Sequence, residues 1–92
     1  MCGVKITLGS NVMRFTSESP ESGDGFDEVP VEYTGNELTV GFNALYLLQV
    51  LGTIEQEDVV LGVSGELDPA TVRPATSTGR GEYLAVIMPM RI

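Results

Sequence analysis

Apolar and polar residues alternate along most of this chain, and the alternation breaks once near the middle. Val4, Ile6 and Leu8 alternate with Lys5 and Thr7, the period-2 pattern of a strand with one buried face. Gly9-Ser10-Asn11 is a turn signal, and Met13 and Phe15 then alternate with Val12, Arg14 and Thr16. The two runs predict a β-hairpin. Ser17 to Glu28 loses the pattern and carries Pro20, Gly23, Gly25 and the acidic residues Glu18, Glu21, Asp24, Asp27 and Glu28, which predicts a solvated acidic loop. Val29, Val31 and Tyr33 alternate with Pro30, Glu32 and Thr34, a third strand that Pro30 places at a sheet edge or at a strand start. Gly35-Asn36 is a turn, and Leu38 and Val40 open a fourth strand.

The break is Gly41 to Ile54, where the period changes to that of a helix. At 100° per residue Ala44, Leu47, Leu48, Leu51 and Ile54 fall on one arc, with Leu45 and Val50 at its margins and only Tyr46, Gln49 and Thr53 opposite. So apolar a helix needs cover, and the face of a sheet is the natural one. Asn43 suits the N-cap, and Gly52 sits in the last turn or ends it. Beyond the charged turn Glu55 to Asp58, Val59, Leu61 and Val63 predict a fifth strand and Ala70 to Pro74 a short sixth. Ala75 to Gly81 reads as a small-residue loop. Tyr83 to Met88 is almost continuously apolar, which fits a strand buried on both faces. The order ββββ-α-βββ defines an α+β domain, an antiparallel sheet with one helix on a face.

The chain has 92 residues, enough for one domain with a modest core, and 42% of them are hydrophobic. Thirteen acidic against five basic residues leave a net charge of −8, so polyanions are poor partners for the chain as a whole. Cys2 is the one cysteine and cannot form an internal disulfide, which favours a reducing compartment such as the cytoplasm. Histidine is absent, and with it the commonest general base and metal ligand. There is no G-x-S-x-G elbow, C-x-x-C pair or glycine-rich phosphate loop, and the acidic stretch lacks the spacing of an EF-hand. From composition the choice lies between a binding or assembly module and a fragment of something larger; no enzyme activity, cofactor or metal is expected.

The tail is more specific. Tyr83-Leu-Ala-Val-Ile-Met-Pro-Met-Arg-Ile92 closely resembles the C-terminus of the bacterial sliding clamp, the beta subunit of DNA polymerase III. Gly41-Phe-Asn-Ala-Leu-Tyr-Leu-Leu48 resembles that family's last helix, and Gly3-Val-Lys-Ile6 and Val31-Glu-Tyr-Thr-Gly35 are similar to two more of its patches, in the same order. The resemblance spans essentially the whole chain and about the last quarter of a clamp subunit. It implies a DNA-clamp-like domain over residues 1–92, the third of a ring-forming processivity factor in DNA replication, lacking that domain's first strand and first helix.

The resemblance also implies a site. Partners, namely the catalytic subunit of DNA polymerase III, the clamp loader, other polymerases and repair proteins, would dock short apolar motifs in a cleft to which this chain contributes half. The matching positions are Asn43 and Tyr46, Leu67 and Pro69, and Val86, Ile87, Met88, Pro89, Met90, Arg91 and Ile92. Methionines suit a surface that accepts varied ligands. Glu21, Asp24, Asp27 and Glu28 match positions that face basic residues of a neighbouring subunit. Duplex DNA would be held only by an intact ring, and bare apolar surface would drive self-association of the chain. The alternative is a free-standing acidic β-rich module or decoy that keeps the clamp fold and forms no ring.

Overall fold

In a computed structural model, residues 3–19, 23–55, 57–75 and 83–91 are described. Strand β1 (Gly3–Gly9) and β2 (Val12–Ser19) form the expected hairpin, with Gly9 opposite Val12. Asn11 closes it at φ 56°, a left-handed conformation that asparagine tolerates better than most residues. The third strand differs from expectation. It is β3 (Gly23–Pro30), antiparallel to β2, so the described part of the acidic stretch is a two-stranded ribbon and not a loop. Every described side chain of β3 from Gly25 to Pro30 is exposed, so neither face had to be apolar and no alternation marked it. Pro30 ends the strand at the sheet edge, as its missing N–H requires.

Residues 31–37 are not a strand. Asn11 takes the place of a ladder partner there. Its backbone N–H donates to the Tyr33 carbonyl (3.2 Å), its carbonyl accepts from Val31 (3.2 Å), and its side-chain oxygen accepts from Tyr33 N–H (3.1 Å). The Tyr33 ring folds over Gly35, where a Cβ would lie 2.7–2.8 Å from the phenol.

Strand β4 (Leu38–Asn43) pairs with the other side of β1 and completes a sheet of order β3-β2-β1-β4. Helix α1 (Ala44–Gly52) follows directly, so Gly41 and Phe42, expected in the helix, belong to the strand. Strands β5 (Val59–Gly62), β6 (Ala70–Pro74) and β7 (Ala85–Ile87) form a second antiparallel sheet, of order β5-β6-β7. The antiparallel order ββββ-α-βββ holds, divided between two sheets. The loop expected at 75–81 lies outside the described residues beyond Ala75.

Inward residues of both sheets meet in one core. Ile6, Val40 and Phe42 come from the first sheet and Ala70, Val72 and Ile87 from the second; Phe42 is 0% exposed. The helix touches β4 and β7 and packs on this core through Leu47 and Val50, with Ile54 joining them just past its C-cap. That is a narrower side than the predicted arc, because the helix lies along the junction of two sheets and not across a broad face. Leu45 and Leu48 stay 59% and 65% exposed. Strand β7 is buried on one face only: Ile87 is in the core while Val86, and Leu84 just before the strand, stay exposed.

Candidate functional site

The tail after β7 joins the two sheets. Met90 N–H donates to the Gly41 carbonyl at 2.8 Å, which ties the tail at Met90 to the free edge of β4. Gly41 is two residues before Asn43, so this bond seats the tail roughly 7 Å of extended chain from the start of the helix. At the helix's other end, Thr53 Oγ1 shares a 2.6 Å hydrogen bond with the Tyr83 hydroxyl. The register Ala70↔Ile87 brings Pro69, one residue earlier, beside Met88. The turn before it is held by Asp68, whose N–H donates to Gly65 carbonyl (3.3 Å) and whose carboxylate accepts from Ser64 Oγ (3.3 Å).

An apolar ridge results. Leu67, Val86 and Met88 are 54%, 60% and 65% exposed, and Tyr46 is 59% exposed on the first turn of the helix. Pro69 and Arg91 are also exposed, and Pro89 and Met90 are half-buried. Ile87 departs from its neighbours: at 5% exposure its side chain belongs to the core, so it supports the ridge from beneath and cannot line it. Ile92, the last of the expected site residues, lies outside the described residues.

Asn43 has work inside the fold. Its Oδ1 accepts from Leu45 N–H at 3.0 Å and Tyr46 N–H at 3.2 Å, a double N-cap that fixes where Tyr46 stands. Asn43→Ala is expected to cost about 1 kcal/mol of stability, with Asn43→Ser recovering most of it in urea denaturation. A loss confined to ligand binding, with the midpoint unmoved, would contradict the capping role.

Beside the ridge, on the outer face of the first sheet, is a groove of about 310 Å³. Its floor and walls are Lys5, Thr39 and Gly41 from the strands, Glu66 and Leu67 from the turn, and Met90 and Arg91 from the tail. Of these, sequence reasoning picked out only Leu67, Met90 and Arg91. Lys5, Thr39 and Gly41 meet through the β1–β4 pairing and Glu66 comes from the turn, and no local signal marks either.

The acidic positions are separate from both features. Asp27 and Glu28 are exposed on the edge strand β3, and Asp24 lies in the same strand opposite Glu18. Glu21 is outside the described residues. Glu28 is already engaged, its carboxylate 2.8 Å from Arg14 Nε across the β2–β3 ladder. Among the described residues no three His, Cys, Asp or Glu side chains gather as a metal site would require, and no described helix is long and apolar enough to cross a membrane.

Among the described residues these features define an α+β domain of two antiparallel sheets and one helix, with exposed apolar side chains on the tail, the turn before β6 and the first turn of the helix. Residues 1–91 match the family described as DNA polymerase III beta subunit, C-terminal domain, and the chain belongs to that family. The beta sliding clamp of Pseudomonas aeruginosa is 36% identical over 90 residues, covering 98% of this chain and 24% of the relative. A crystal structure of the beta subunit from that organism superposes with a TM-score of 0.88 at 36% identity, and one from Thermotoga maritima with 0.87 at 33%. Each match covers 98% of this chain and 24% of the solved one. The chain thus spans about a quarter of the length of the relatives it matches.

Proposed function

We propose that the chain acts as the C-terminal domain unit of a sliding clamp, a non-catalytic processivity factor of cytoplasmic DNA replication. Its task is to present half of a cleft to short apolar motifs of the replicative polymerase, the clamp loader, and other polymerases and repair proteins. The observation that carries this reading is the seating of the tail: Met88 and Val86 stand out of a strand whose Ile87 is locked in the core, while Met90 is bonded to β4 beside the helix start. An apolar, pre-positioned ridge of this kind suits a ligand that inserts a few anchors. The acidic edge strand β3 fits a second role, register and steering against a basic neighbouring subunit. Duplex DNA is left to the closed ring, because a chain with net charge −8 has little with which to displace counterions.

The test is a two-dimensional amide NMR titration of the 92-residue chain with a Gln-Leu-Ser-Leu-Phe peptide. Saturable shifts centred on Tyr46 and Met88 are expected. Dispersed peaks that stay still at millimolar peptide would reject the half-cleft as a binding unit.

The same reading includes self-association. Leu45, Leu48 and Leu51 are exposed on a helix that carries no charged side chain, so two copies can appose these faces without like-charge contact. Sedimentation velocity across a concentration series is expected to show a mass above 9.8 kDa at high concentration, reduced by Leu48→Glu. A concentration-independent monomer would exclude it.

A further inference from the structure

From the groove over Gly41 we infer a carboxylate-binding extension of the docking ridge, taking the acidic side chain of a residue that flanks the apolar anchor of a partner peptide. The inference rests on the docking reading above and adds a charge preference to it.

The groove exists because of one cross-strand pair. Lys5 lies opposite Gly41 on the outward face of β1 and β4, and the next pair on that face is Thr7 with Thr39, hydroxyl to hydroxyl at 3.0 Å. Gly41 has no side chain to fill the space beside the Lys5 stem. The tail closes the far side, held there by the Met90–Gly41 bond, and the turn at Glu66 and Leu67 closes the end. At about 310 Å³ the hollow is at the small end of ligand sites and suits one or two side chains better than a large cofactor.

Its charge is opposite to that of the chain. Lys5 and Arg91 are two of only five basic residues. Arg14 is committed to Glu28, Arg73 lies away on β6, and Arg80 is outside the described residues. Among the described lining residues one carboxylate, Glu66, stands against the two cations. The described lining therefore carries two cations to one carboxylate on a molecule of net −8, and an acidic ligand repelled elsewhere finds its complement at Lys5 and Arg91. Continuity selects the source of that ligand. Met88 on the ridge and Met90 in the groove wall are two residues apart, about 7 Å of extended chain, so a peptide anchored at Met88 reaches the hollow with its neighbouring residues.

The experiment compares affinities of the 92-residue chain for Gln-Leu-Ser-Leu-Phe, for the same peptide extended by Asp-Asp before or after it, and for the Ser-Ser twins of each. One acidic peptide is expected to bind roughly 3- to 10-fold tighter than its serine twin at low salt, the range of one or two exposed ion pairs. The amides of Thr39 and Gly41 should shift with that peptide and not with its twin. Lys5→Gln should erase the advantage and leave the unextended peptide's affinity unchanged, while Glu66→Gln should enlarge the advantage. If the unextended peptide binds and the acidic and serine twins are equal, the groove proposal is overturned and the docking reading stands. An acidic preference that survives Lys5→Gln arises elsewhere and also overturns it. If the unextended peptide does not bind at all, both readings fall together.

Discussion

Phe42→Ala is expected to cost about 3–5 kcal/mol, the range for emptying a buried aromatic site. Phe42 is fully enclosed and joins a cluster to which both sheets contribute. Neighbours from two separate sheets cannot all collapse into the space it leaves, so the cavity term is retained in full. A domain of this size has about 5–15 kcal/mol to lose, and the variant should melt tens of degrees lower or not fold. Chemical denaturation with circular dichroism checks this. Val86→Ala, on the exposed face of β7, should stay within about 0.5 kcal/mol in the same assay. A Phe42→Ala loss below about 1.5 kcal/mol would mean that the two sheets do not share one core.

The second large effect is on binding. Met88→Ala should weaken the Gln-Leu-Ser-Leu-Phe peptide by about 2 kcal/mol, roughly 30-fold in Kd. Met88 is 65% exposed in the free chain, so its truncation leaves no cavity and should not move the denaturation midpoint. Its unbranched thioether can adapt to the ligand in a way alanine cannot. Tyr46→Ala should fall in the same direction. Ile87→Ala is the informative contrast: it should lower stability, since its side chain sits in the core, and reduce binding only by loosening the strand beneath Met88. Unchanged affinity for Met88→Ala would remove the tail from the docking surface.

What could be read from the chain follows where burial is one-sided. β1 and the start of β4 showed themselves because Ile6, Leu8 and Val40 alternate with residues left outside. β3 did not, because its described side chains are all exposed and its polar residues imitate a loop. The helix and its N-cap at Asn43 were legible, but Gly41 and Phe42, which suit either period, were drawn into the helical stretch although they belong to β4. The division into two sheets depends on pairings far apart in sequence, such as Gly3 with Asn43, which no local window contains. The tail was singled out by its resemblance to the clamp, not by chemistry, and its unbroken apolar run gave no sign that Ile87 turns into the core while Val86 and Met88 stay out. Lys5, Thr39 and Glu66 carried no signal at all, because a groove made by a missing side chain at Gly41 appears only once the strands are aligned.

The cap at Asn43 limits what this end of the ridge can say to a ligand. Both acceptor positions of its side-chain oxygen are taken by Leu45 and Tyr46 N–H. Only the amide hydrogens are left, so toward any guest Asn43 speaks with one polarity: it offers protons and takes none. A peptide carbonyl or a glutamine oxygen satisfies it, whereas an ammonium or a guanidinium laid at the same spot meets donors facing donors. A ligand that reaches Asn43 is therefore expected to present it with an acceptor and not a cation, because the backbone's own need for a cap has already taken the oxygen.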